Sequence, residues 1–116
     1  LAAQAEGTTI IKDAAELKVK ESNRIATTIN MLRKLGVTVE ETDDGMIIEG
    51  RAGKPFEPVD SETIIDSHGD HRLAMSSAIA ALHSTKAITI LQTEFVATSF
   101  PEFFEILGKL KQWAQV

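Results

Sequence analysis

The amino-acid sequence predicts an α/β (α+β) domain in which a mixed sheet is covered by helices. Three observations predict it. Short β-branched runs recur along the chain, and between them stand stretches whose apolar residues repeat with helical period. An Asp-Gly pair, Asp44-Gly45, joins two strand-like runs, which is a strong local hairpin signal. The composition, 43% apolar and 25% charged over 116 residues, is that of one compact globular domain.

Leu1, Ala2, Ala3 and Ala5 favour helix and Gly7 stops it, so the chain is expected to open at the end of a helix. Residues 8–11, Thr-Thr-Ile-Ile, read as a strand. Over residues 21–35, Ile25, Ile29, Leu32 and Leu35 line one helical face. Arg33 and Lys34 charge the last turn favourably, and Gly36 ends it. Ser22 is the expected N-cap, and Glu21 beside it also suits a helix start. Residues 37–41 alternate with period two, as 46–49 do in part, around the Asp43-Asp44-Gly45 turn. The polar stretch 51–62, with Pro55 and Pro58, reads as a surface loop.

Residues 63–65 form a short strand, after which Asp70 caps a helix over 71–83. Its narrow apolar face is Leu73, Ala74, Ala78, Ala81 and Leu82, and the small side chains around it predict close packing against a sheet. Another strand follows at 87–91. Thr98 or Ser99 caps the last helix, with Pro101 in its first turn, where a missing N–H costs nothing. Phe103, Phe104, Ile106, Leu107 and Leu110 give that helix an apolar side. Phe95, Phe100, Phe103 and Phe104 are expected in the core or between helices, and Trp113 against the final turn or a neighbouring domain.

A net charge of −5 argues against nucleic acid as a partner, because phosphate backbones reward a basic face. It does not argue against small anions, which a few local cations can hold. Cysteine is absent, so this stretch offers no disulfide, no thiolate nucleophile and no cysteine-based metal site. No apolar run reaches the length of a membrane span. The opening residues, Leu1 to Gln4, have neither an initiator Met nor a signal-peptide layout, so the chain reads as the interior of a longer one, expected in the cytoplasm.

Two segments carry chemistry: Lys18-Val19-Lys20-Glu21-Ser22-Asn23-Arg24 and His68-Gly69-Asp70-His71-Arg72. Each sets cations at a helix start, where unpaired N–H groups and the helix dipole already favour an anion. Taken singly, Glu21 and Arg24 read as a surface ion pair worth under about 1 kcal/mol. The repetition in an acidic chain points instead to a phosphate or carboxylate site. A metal site from His68, Asp70 and His71 matches no strong ligand spacing. Ser22 or Ser67 as a nucleophile lacks a paired base and a defined elbow.

Around these clusters the sequence resembles a known family. Lys20-Glu21-Ser22-Asn23-Arg24, then Gly69-Asp70-His71-Arg72-Leu73-Ala74-Met75, then Ala97-Thr98-Ser99-Phe100-Pro101-Glu102-Phe103-Phe104 look like the ending of the enolpyruvylshikimate-phosphate synthases. The resemblance implies two domains built from βαβαββ units, of which residues 1–116 would be the C-terminal fragment of one. It implies transfer of the enolpyruvyl group of phosphoenolpyruvate to the 5-hydroxyl of shikimate 3-phosphate, with release of phosphate and without metal or organic cofactor. Glu21 matches the carboxyl group that moves a proton at the methylene carbon. Lys20 matches a contact to shikimate 3-phosphate, Arg24 and Arg72 match the pair gripping phosphoenolpyruvate, and His71 matches a supporting residue nearby. Guanidinium forks bind such carboxylates and phosphates in bidentate fashion. Glu21 must be protonated to act as an acid; Lys20 and Arg24 favour its carboxylate, and closure that excludes water favours the neutral form.

Two positions depart from the pattern. Asn23 stands where the family usually has Asp, a change that bears on how Arg24 is held. Thr98 stands where one branch has a lysine, so the chain resembles the glyphosate-tolerant branch. The aspartate base and the residues of the other domain fall outside these residues, so the fragment alone is expected to be inactive. Two other readings are a UDP-N-acetylglucosamine enolpyruvyl transferase of the same fold and a non-catalytic anion-binding module.

Overall fold

The computed structural model describes residues 1–114, with side chains as far as Lys111. Strands β1 (Thr8–Ile11), β2 (Val39–Thr42) and β3 (Gly45–Glu49) form an antiparallel sheet in the order β1-β3-β2. Thr42 pairs with Gly45, so the Asp43-Asp44 turn closes the expected hairpin. Helix α1 (Arg24–Lys34) lies on this sheet and buries the face read from the sequence: Ile25, Ile29, Leu32 and Leu35 are all buried with Val39, Met46 and Ile48. Each such side chain contributes roughly 1.5–3 kcal/mol through the apolar area removed from water. Gly36, at φ +82°, turns the chain out of α1, and a Cβ there would strike the Glu57 carbonyl.

Strands β4 (Thr63–Asp66) and β5 (Ile88–Leu91) pair in parallel, with helix α2 (His71–Ala81) between them in sequence. A parallel pair cannot be closed by a tight turn and needs such a crossover. The described strands are thus divided between two small sheets. The small residues of α2 meet α1 as well as β5: the hydroxyl of Ser77, fully buried, lies 2.8 Å from the Leu73 carbonyl and 3.0 Å from Met31 Sδ, sharing its one proton between them. This close approach brings the starts of the two helices together.

Several local expectations give way to tertiary packing. The chain opens with a single 3-10 turn, Ala2–Gln4, rather than a helix end. The loop at 51–62 is pinned by Phe56, which is buried and bonds by its backbone to His83 and Thr85. Helix α2 ends two residues earlier than expected, leaving Leu82 as its exposed C-cap. Thr98 and Ser99 do not cap the last helix: they end a short helix, α3 (Val96–Ser99), and Pro101 sits in the turn before α4 (Phe103–Ala114). Nor do three of the phenylalanines expected in the core or between helices lie in the core. Phe95, Phe100 and Phe104 remain 40–45% exposed, and the rings of Phe100, Phe103 and Phe104 pack edge-on to one another. The Trp113 side chain lies outside the described residues. Among the described residues no helix is long and apolar enough to cross a membrane.

Candidate functional site

The site grows from the end of β4. Ser67 is fully buried, and its hydroxyl shares its one proton between the carbonyls of Leu91 at 2.8 Å and Gln92 at 3.0 Å, tying the ends of β4 and β5 together. His68 and Gly69 then take positive φ values of 53° and 73°, a tight reversal stabilised by the His68 N–H donating to Asp66 Oδ1 at 2.8 Å. For His68 that conformation carries a steric cost that glycine avoids. The reversal delivers Asp70 to the start of α2.

Asp70 is the N-cap of α2, as expected, and its Oδ1 accepts from the Arg72 N–H at 3.0 Å. It is also fully buried and reaches across to the start of α1. Its Oδ2 accepts from the Ser22 hydroxyl at 2.7 Å and from Arg24 Nε at 2.8 Å, while Arg24 Nη2 lies 3.3 Å from Oδ1. A buried carboxylate is tolerable only when paired and hydrogen-bonded. Burial pushes its pKa up, but the hydrogen bonds from Arg24, Ser22 and the Arg72 N–H, with the charge of Arg24, outweigh this and hold it at about 2. In return the Asp70 bond holds the Arg24 guanidinium more firmly protonated than usual, against the effect of burial.

The N-cap of α1 is Asn23, not Ser22 or Glu21, and its side chain accepts from the Ala26 N–H at 3.2 Å. Ser22 is released from capping to serve Asp70. Glu21 lies just before the helix and still meets Arg24, with Nη2 donating to its Oε2 at 2.6 Å. The fork of Arg24 is therefore held by Asp70 and Glu21, with no bond to Asn23 and no partner for Nη1 among the described residues.

Of the predicted site residues, Glu21, Arg24 and the backbone of Arg72 are brought together. The Arg72 side chain is exposed, His71 is half-buried, and neither side chain has a hydrogen-bond partner among the described residues. Lys20 turns instead to Glu16, with Nζ 2.7 Å from its Oε1 on the surface, and this contact lowers the pKa of Glu16. Reasoning from sequence missed the cross-bridge made by Ser22 and Asp70. Its signal was present in the Gly69-Asp70 step, but a cap and a bridging carboxylate look alike in sequence. Among the described residues no group of three or more His, Cys, Asp or Glu side chains is placed to hold a metal ion. An apolar cavity of about 660 Å³, walled by Leu17, Met31, Phe56 and Ile79 among others, touches this cluster only at Arg24 and does not suit an anion.

The model of the family described as EPSP synthase (3-phosphoshikimate 1-carboxyvinyltransferase) matches residues 1–107. The chain belongs to the EPSP synthase family. A 3-phosphoshikimate 1-carboxyvinyltransferase of Bacillus licheniformis is 51% identical over 114 residues, covering 98% of this chain and 26% of the relative. That of Bacillus subtilis is 48% identical over 112 residues, covering 97% and 25%. An EPSP synthase structure from Acinetobacter baumannii superposes with a TM-score of 0.85 at 45% identity, covering 93% of this chain and 24% of that one. The chain thus spans about a quarter of the length of the EPSP synthases it matches. These comparisons do not favour the sugar-nucleotide transferase that shares the fold.

Proposed function

We propose that this chain supplies part of the active site of an enzyme that transfers the carboxyvinyl group of phosphoenolpyruvate to the 5-hydroxyl of shikimate 3-phosphate. The observation that carries the reading is the Asp70 bridge, which brings two cationic motifs 46 residues apart to one edge of the fold. Arg24 and Arg72 bind the carboxylate and phosphate of phosphoenolpyruvate, because planar guanidinium forks match both groups. Glu21, at the rim beside Arg24, delivers a proton to the methylene carbon. The oxocarbenium-like centre that results is attacked by the 5-hydroxyl, whose proton passes to the aspartate base outside these residues; phosphate then leaves and Glu21 takes back a proton from the methyl carbon, restoring the double bond. Lys20 exchanges its surface partner Glu16 for the phosphate of shikimate 3-phosphate, and His71 supports the phosphoenolpyruvate side.

The remainder of a longer parent chain completes the constellation in this reading, with the chain forming part of one of two domains. Its match to only a quarter of each relative supports this. A cytoplasmic location belongs to the same reading. The test is phosphate release from the two substrates by the full-length enzyme, by its Glu21→Gln variant, and by residues 1–116 alone. The parent is expected to turn over, the fragment to be silent, and the variant to lose roughly 100-fold or more in kcat, the usual size of a general-acid contribution. Near-normal turnover by Glu21→Gln would remove the proton-transfer assignment. A parent silent with shikimate 3-phosphate yet active with UDP-N-acetylglucosamine would overturn the acceptor.

A further inference from the structure

We infer that Asp70 is a positioning residue that sets the plane in which Arg24 meets its anionic ligand. The inference rests on the reading of Arg24 as a phosphoenolpyruvate ligand. Guanidinium is a flat fork, and two contacts along one edge fix its plane. Asp70 makes those contacts, with Oδ2 at 2.8 Å from Nε and Oδ1 at 3.3 Å from Nη2. Nη1, which has no partner among the described residues, is left on the other side to meet a ligand. The same carboxylate holds the Arg72 N–H at 3.0 Å, so the plane of Arg24 is referred to the helix that carries the second arginine. Ser22 supplies a fourth bond, at 2.7 Å, that keeps Oδ2 aimed at Arg24.

Capping does not demand this arrangement, since Asn23 caps α1 with a neutral amide. What an amide cannot do at position 70 is accept from Arg72, Ser22 and Arg24 together. It has one oxygen, and its NH₂ would face the N–H of Arg24. Asp70→Asn therefore separates the cap from the positioning role.

The experiment is steady-state kinetics of the full-length enzyme against both substrates, with thermal melting, for Asp70→Asn, Arg24→Gln and the double variant. Loss of a charge-assisted hydrogen bond sets the expected scale. Asp70→Asn is expected to raise the KM for phosphoenolpyruvate about tenfold while the KM for shikimate 3-phosphate stays within about twofold. In the Arg24→Gln background it should add less than about twofold, because Arg24 is no longer there to be aimed. Effects that multiply fully in the double variant, or a rise in both KM values together with a lower melting point, would reduce Asp70 to a structural cap. An Asp70→Asn variant normal toward phosphoenolpyruvate beside an impaired Arg24→Gln would overturn the positioning role alone. An Arg24→Gln variant with normal affinity would overturn the reading of Arg24 and this inference with it. Should Asp70→Asn fail to fold, Ser22→Ala tests the same bridge: a two- to threefold rise in the KM for phosphoenolpyruvate is expected at about unchanged melting temperature, and no rise counts against it.

Discussion

Helices α1 and α2 begin alike in sequence, each with a polar cap followed by a cation, but the two caps act over different distances. Asn23 is exposed and neutral, and its side-chain bond ends on its own helix. Asp70 is fully buried and charged, and it binds its own helix through Arg72 and the other helix through Ser22 and Arg24. A neutral cap can stand in water without help. A buried charge must be met by several donors, so it gathers them, and here the donors are residues of the other motif. The contrast leaves Asn23 outside the hold on Arg24, whose fork is bound by Asp70 and Glu21.

The comparison can be broken most severely at Arg24. Arg24→Gln leaves Asp70 buried without its cation, and breaking one side of a buried pair typically costs about 3–5 kcal/mol. A drop in melting temperature of the full-length enzyme far larger than that of Asn23→Ala is expected. Equal drops would show that the two helix starts are equivalent after all.

Acid comes next in size. The pKa of Asp70 in the folded protein, about 2, lies below its ordinary 3.8, so the unfolded chain takes up the proton first as pH falls. The bridge's stabilisation is complete above pH 3.8 and disappears as the pH drops through about 2. Its size, at 1.36 kcal/mol per pKa unit, is about 2 kcal/mol. Denaturant melts of the full-length enzyme across this range should show the Asp70→Asn variant losing less stability with acid than the parent does.

The smallest effect belongs to Asn23. Asn23→Ala should cost about 1 kcal/mol through the lost cap, with affinity for phosphoenolpyruvate unchanged. Asn23→Asp should recover or slightly exceed the original stability, since a negative charge suits a helix start. A shift in phosphoenolpyruvate affinity in either variant would mean that Asn23 also takes part in holding Arg24.

Much was legible in the residue order. The apolar stripe Ile25, Ile29, Leu32 and Leu35 specified the buried face of α1, because helical period and burial are local consequences of the same pattern. The Asp44-Gly45 pair marked the hairpin, since turn conformation depends on the turn residues themselves. The motifs around Glu21 and Arg72 were legible as family. The phenylalanines before and within α4 were misleading: apolar character invites burial, yet whether a face is covered depends on what packs against it.

Element types, the main core stripe and the two cationic helix starts thus followed from the order of residues, because propensity, periodicity and capping act over a few neighbours. Tertiary structure alone decided that the strands divide between two sheets, that Asn23 rather than Ser22 caps α1, and that Asp70 joins Ser22 and Arg24 across the fold. Those outcomes depend on which distant groups meet in the interior. There a carboxylate without donors costs several kcal/mol, and a residue that would cap a helix locally is worth more as that carboxylate's partner.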